Sequence, residues 1–276
     1  MLYQTIDNIT FRMKTEHDFS FLKKYGKVFK VFDGQDSGNI CFGVQDGERR
    51  LFVKFAGAQT AEYNGSSEDA VERLRSVVPL YRDVQSDKLI KFIAAEEIGG
   101  GFALVFGWTE GRCMARMYPE DHRFIMALPT DKKLRIFSDV ISFMKDIHRQ
   151  GYQAIDFYDG SIMFDEKTDT TTVCDIDFFR QKPCVNDMGR MWGSSRFLSP
   201  EEYVLGETLD EITNVFTMGK MGFSLFTDSE EDPSVFPLSQ AEYDVLRKAA
   251  SDRRGDRYTS ISEFETAWND AVRIHI

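Results

Sequence analysis

The chain has 276 residues and carries 34 Lys+Arg against 45 Asp+Glu, a formal net charge of −11 at pH 7. With 42% apolar residues, among them 24 Phe, it holds enough hydrophobic side chain to bury a core, which excludes a disordered chain. Its length fits roughly one or two domains, and its acidity argues against nucleic acid, whose phosphates are bound by clustered Lys and Arg.

In chain order, Met1-Leu2-Tyr3-Gln4-Thr5-Ile6-Asp7 shows neither the basic nor the apolar stretch of a leader. No apolar run nears the roughly 20 residues of a membrane span, so a cytoplasmic protein is expected. Strands are predicted at Val28–Phe32, Ile40–Val44 and Leu51–Phe55, with turn chemistry at Asp33-Gly34 and Asp46-Gly47, an antiparallel meander. Ser66 and Ser67 before Glu68-Asp69 predict a helix start, with Ala70, Val71, Leu74, Val77 and Val78 as its apolar stripe up to Pro79. Two further strands, around Leu89–Ile93 and Phe102–Phe106, flank Gly99-Gly100-Gly101. The strand pattern stops near Gly107–Gly111, so 1–107 reads as a small β-rich lobe and 108–276 as a larger, mainly helical one, an α+β class.

In the second part Pro129-Thr130-Asp131 predicts a helix capped by Thr130, with Leu134, Phe137, Ile141, Met144 and His148 at steps of three and four. Residues Ile212 to Phe226 are apolar on nearly every side, a helix buried all round. Ile261, Phe264, Trp268 and Val272 trace one more amphipathic helix. Cys41, Cys113, Cys174 and Cys184 are scattered and read as reduced thiols, and His17, His122, His148 and His275 form no ligand cluster.

The stretch from Ile147 to Phe179 carries the chemistry. A helix ends at Gly151, Asp156 stands in a loop before the strand Ile162-Met163-Phe164, and the strand Thr172-Val173-Cys174 delivers Asp175. Two carboxylates on adjacent loops suit phosphoryl transfer, one orienting the attacking hydroxyl and one holding Mg²⁺. A β-hairpin with solvated acids is the plain alternative, since Asp is common in loops.

The order of the parts resembles the eukaryotic-type Ser/Thr protein kinase family over almost the full length, as a divergent, bacterial-like member or a pseudokinase. Ala154-Ile155-Asp156-Phe157-Tyr158-Asp159-Gly160-Ser161 takes the place of that family's H-R-D-L-K-x-x-N loop, and Asp175-Ile176-Asp177 that of D-F-G. Gly193 to Glu201 resembles G-T-x-x-Y-x-A-P-E, Asn214-Val215-Phe216-Thr217-Met218-Gly219 looks like D-V-W-S-L-G, and Arg257 is the expected partner of Glu201. The resemblance implies a protein kinase-like bilobal fold that binds ATP and Mg²⁺ and phosphorylates a Ser or Thr hydroxyl of a protein. Asp156 would orient the hydroxyl; Asp175, Ser161 and Asp177 would hold the metal. Lys54, paired with Glu72, would hold the phosphates, and Gly34, Gly38, Phe106 and Trp108 would line the nucleotide site.

The departures are specific. There is no G-x-G-x-x-G, only Gly34 and Gly38, in a loop with the acids Asp33 and Asp36. Ala154-Ile155 replaces His-Arg, Tyr158 the loop lysine, Ser161 the metal-binding Asn and Asp177 the Gly, and Asp177 with Phe178 is the alternative metal aspartate. A pseudokinase that binds a nucleotide or a protein, and a small-molecule phosphotransferase, are the rival readings. The acidity is ordinary solubility behaviour or a steering field for a basic substrate. Part of it, at Asp156, Asp159, Asp175 and Asp177, fits a divalent cation.

Overall fold

A computed structural model describes residues 1–273; His275 lies outside them. The chain divides into two compact units, the first made of Met1–Asp83 and Ile90–Thr109, the second of Val84–Leu89 and the residues from Glu110 onward. Among the described residues no helix is long and apolar enough to cross a membrane.

The first unit opens on a hairpin that the periodicity did not announce, β1 (Leu2–Ile6) with β2 (Ile9–Met13). Asp7 and Asn8 make its turn at φ 46° and 71°, the left-handed geometry of a two-residue hairpin, which these two residue types tolerate. There follow β3 (Lys27–Phe32), β4 (Asn39–Asp46), β5 (Arg49–Ala56), α1 (Ser67–Ser76), α2 (Val78–Asp83), β6 (Phe92–Ile98) and β7 (Gly101–Gly107). Five of the strands form one antiparallel sheet in the order β3-β4-β5-β7-β6. Period-two alternation sends Ile40, Phe42 and Val44 of β4 and Leu51, Val53 and Phe55 of β5 into a core shared with Phe11 and Phe19. The Phe19 ring stands 5.1 Å from Phe42 and 5.7 Å from Phe11. Lys54 takes the other face, opposite Cys41 and Leu104. Pro79 does not end the helical run as expected. The break comes at Val77, and Pro79 sits in the first turn of α2, where its missing N–H costs nothing.

The second unit contains β8 (Arg112–Cys113), α3 (Pro119–Met126), α4 (Thr130–Arg149), β9 (Tyr152–Gln153), β10 (Ile162–Asp165) and β11 (Thr170–Val173). It continues with β12 (Arg180–Gln181), β13 (Cys184–Val185), β14 (Thr208–Leu209), α5 (Glu211–Thr227), α6 (Gln240–Ala249) and α7 (Ile261–Arg273). Its sheets are small and antiparallel, β11-β10-β8, β12-β9 and β13-β14, so the chain is α+β. Thr130 is the first helical residue of α4 and does not cap it; Pro129 occupies the cap with no side-chain bond. The helix core gathers Phe137, Phe226, Phe264 and Trp268, with Phe137 edge-on to Trp268 at 4.8 Å. Residues 84–89 belong to this unit. Val173 N–H donates to the Lys88 carbonyl at 2.7 Å, and the Gln150 amide bonds the Gln85 backbone at 2.7 and 2.8 Å.

Candidate functional site

In the second unit the chain places Asp156 just after β9 and Asp175 two residues after β11. Both take left-handed φ, 56° and 58°, which costs a non-glycine residue on the order of 1 kcal/mol or more and persists only where the surroundings impose it. The β10–β11 hairpin ties the two loops, since Ile162 pairs with Val173 and Cys174 N–H donates to the Ser161 carbonyl at 2.7 Å. Asp156 lies over Gly193, where a Cβ would stand 3.3 Å from Asp156 Oδ1.

Tyr158 belongs to the same group. Its ring folds over Gly160, where a Cβ would meet ring atoms at 2.3 Å, so only glycine is accommodated. Burial, and then the charges of Asp175 and Asp156, push its hydroxyl above the ordinary tyrosine value, so it stands protonated beside both carboxylates. Asp156, Tyr158 and Asp175 are thus brought together. Ser161 is fully buried, and its Oγ has no hydrogen-bond partner. Asp175 is exposed and Asp177 half-buried in the turn that follows.

Among the described residues no group of three or more His, Cys, Asp or Glu is poised to hold a metal. Mg²⁺ commonly takes only one or two carboxylates, with phosphate and water completing the shell. The exposed Asp175, the half-buried Asp177 and the unpartnered Ser161 Oγ fit that smaller donor set.

Asp159 stands apart from those acids. It is buried, and its Oδ2 accepts from Arg196 Nη2 at 2.6 Å, so its charge is met inside the fold. Arg196 also reaches Ser229 Oγ and borders a cavity of ≈ 350 Å³ with Leu198, Phe216 and Lys220. Its role was not read from the sequence, although it lies within the Gly193–Glu201 motif. Glu201 and Arg257 form the expected pair, bidentate at 2.7 and 3.0 Å and buried. Asn214, at the start of α5, holds Ala154 by both N–H and C=O, at 3.0 and 2.8 Å, and takes His148 Nε2–H at 2.8 Å. This anchors the backbone two residues before Asp156.

In the first unit Lys54 is buried at mid-strand. Glu72 is turned outward, its side chain 75% exposed with Arg75 2.7 Å away. Gly34 is exposed. Gly38 (φ 83°) is closed over, since a Cβ there would meet Ala70 and the Tyr63 ring at 2.8 Å. Arg73 fastens the same turn by donating to the Ser37 carbonyl at 2.7 Å. Asp33 is turned to Arg12, whose backbone N–H and guanidinium both reach it. Phe106 is buried, 4.9 Å from Tyr81 and 6.3 Å from Phe52. Trp108 packs edge-on against Phe29 at 4.8 Å across Gly43, where a Cβ would clash with both rings.

No family model matches the chain. It is similar to the Serine/threonine-protein kinase PksC of Streptomyces coelicolor, 30% identical over 128 residues. The matched stretch is 45% of this chain and spans 23% of that protein's length. This similarity supports a kinase-like relationship.

Proposed function

We propose that the chain is a kinase-like phosphotransferase with the two lobes of a protein kinase, transferring the γ-phosphoryl of Mg-ATP to a hydroxyl, with a Ser or Thr of a protein as acceptor. The observation that carries this reading is the pairing of Asp156 and Asp175, each in a left-handed backbone conformation and joined through the Ser161–Cys174 bond. Asp156 orients the acceptor hydroxyl. Asp175, with Ser161 and Asp177, supplies oxygen to the metal, which neutralises the phosphates when bound. Tyr158 gives a neutral hydrogen bond where the related loop carries a cation. Lys54 holds the phosphates, and Glu72 joins it only by giving up Arg75.

A pseudokinase is the second reading, favoured by Gly38 packed against Tyr63 and Ala70 instead of standing open. Thermal unfolding with ATP and Mg²⁺, followed by γ-phosphate transfer by wild type and Asp156→Ala, separates the two. The transferase reading expects a rise of about 5 °C at saturating nucleotide and loss of at least ~100-fold in transfer for the variant. A thermal shift without Asp156-dependent transfer selects the pseudokinase, and no shift at all removes both nucleotide readings.

A further inference from the structure

The loop that carries Asp156 and the segment from Gly193 to Leu198 meet at two points, three residues apart on each. At the first, Gly193 lies so close that a Cβ would stand 3.3 Å from Asp156 Oδ1 and 3.5 Å from its Cα, and its φ of 131° suits glycine. At the second, Arg196 Nη2 donates to Asp159 Oδ2 at 2.6 Å. Asp159 opens the 3₁₀ turn Asp159–Ser161, which leads from the Asp156 loop into β10.

The two partners of the second contact are unequally buried. The Asp159 side chain is 1% exposed and that of Arg196 26%. Asp159 Oδ1 is buried without a hydrogen-bond partner, so the carboxylate is met at its other oxygen by a guanidinium from a distant loop. Arg196 is braced from behind. Its Nη1 reaches Ser229 Oγ at 3.3 Å, Ser229 N–H donates to the Phe223 carbonyl at 2.9 Å, and the adjacent Asp228 takes Arg116 Nε at 2.8 Å. A guanidinium held by the turn that leaves α5 is thus set against a carboxylate three residues from Asp156. Removing Arg196 leaves a buried charge unpaired, whereas removing the Asp159 charge leaves a cation that water can reach.

We propose that Arg196 is a positioning residue, which with Asp159 locks the Gly193–Leu198 segment onto the Asp156 loop and so fixes where Asp156 stands. The lock stands on this geometry alone, and its effect on transfer rests on the function proposed above. Arg196 acts through Gly193, whose close approach to Asp156 lasts only while the segment is held down.

Urea unfolding and amide hydrogen exchange test the lock without nucleotide. Arg196→Met is expected to destabilise more than Asp159→Asn, and the double variant less than Arg196→Met, because it no longer buries an unpaired carboxylate. The Phe197 amide donates to the Ser194 carbonyl at 2.9 Å. It is expected to exchange roughly ten-fold faster in Arg196→Met and to stay fast in the double variant, where stability returns but the lock does not. Asp159→Asn keeps an oxygen for Arg196 and retains most of the protection. If Arg196→Met does not fold, the double variant carries the exchange measurement. A double variant no more stable than Arg196→Met, or wild-type Phe197 exchange in the variants without Arg196, overturns the proposal. Transfer assays on the same proteins keep the lock and the transferase apart. Loss of Arg196 lowers kcat roughly ten- to a hundred-fold, in the double variant too, and leaves KM for ATP unchanged. No transfer by wild type beside the expected exchange pattern leaves the lock standing and removes the transferase. Asp156-dependent transfer at the wild-type kcat in Arg196→Met does the reverse.

Discussion

Two adjacent carboxylates, Glu201 and Glu202, are driven in opposite directions by their neighbours. Burial pushes Glu201 up, but the two hydrogen bonds from Arg257 outweigh it and hold the carboxyl below its ordinary value. Glu202, whose charge is stabilised by the Ser199 N–H and hydroxyl and less by the Arg257 charge, is pushed up by burial to about 7. The unfolded chain releases this proton near 4.5. Between these values the folded state holds the extra proton, so stability falls as pH rises through the window and the cost is complete above it. Glu202→Gln keeps an oxygen for Ser199 and removes the charge. It is expected to stabilise the protein by up to roughly 3 kcal/mol at pH 8 and by almost nothing at pH 4.5, read by urea unfolding at both. A gain independent of pH would contradict that account. His148 obeys the same rule with the sign of a base. Burial, then the Lys182 charge, lowers it to about 4, so its neutral ring keeps Asn214 in place above that pH.

Between elements, α5 packs closely against α6 and the residue that follows it. A Cβ on Gly219 would stand 2.7 Å from the Ala250 nitrogen and 2.9 Å from the Leu246 carbonyl, both backbone, whereas on Gly222 it would meet the ends of the Leu246 side chain. Backbone yields less than a side-chain tip. Gly219→Ala is therefore expected to destabilise by about 1–3 kcal/mol in denaturant unfolding and Gly222→Ala by less, and the reverse order would refute the close-contact argument. The sequence announced these elements unevenly. The meander, α1, α4, α5 and α7 were legible because their apolar periods are long and match their secondary structure. The β1–β2 hairpin was not, because Asp7-Asn8 lacks the Asn-Gly signature, and α3 was not because it is short. α6 did carry a signal, the Ser239 to Glu242 capping box, with Ser239 N–H donating to Glu242 Oε2 at 2.7 Å. Of the candidate site, the placing of Asp156 and Asp175 on adjacent loops and the Glu201–Arg257 pair were legible by motif and order. The Arg196–Asp159 pair, which joins residues 37 apart, depends on long-range packing that no local pattern encodes.

At the scale of the whole molecule, charge and chain path are both divided unequally. Acidic and basic residues nearly balance in the first unit, so almost all of the negative excess lies in the second, the unit with the two aspartates. That unit is also discontinuous, because residues 84–89 precede the last strands of the first unit yet bond to β11 and α4. A fragment beginning at Glu110 therefore lacks the Lys88 carbonyl. Its Val173 amide is expected to exchange with deuterium faster than in the full chain, and adding residues 84–89 as a free peptide is expected to restore protection. Equal protection in fragment and full chain would show that the segment contributes nothing to β11.

The same segment sets an order of events on the ribosome. Lys88 is synthesised roughly 85 residues before Val173, which at about 5–20 residues per second is a delay on the order of ten seconds. Within that interval, once β6 and β7 have been made, the first sheet can close, while the strap waits for a strand that has not yet been made. The strand that leads to Asp175 pairs with Lys88 only when sequence-distant pieces meet, so the candidate site is completed late in synthesis.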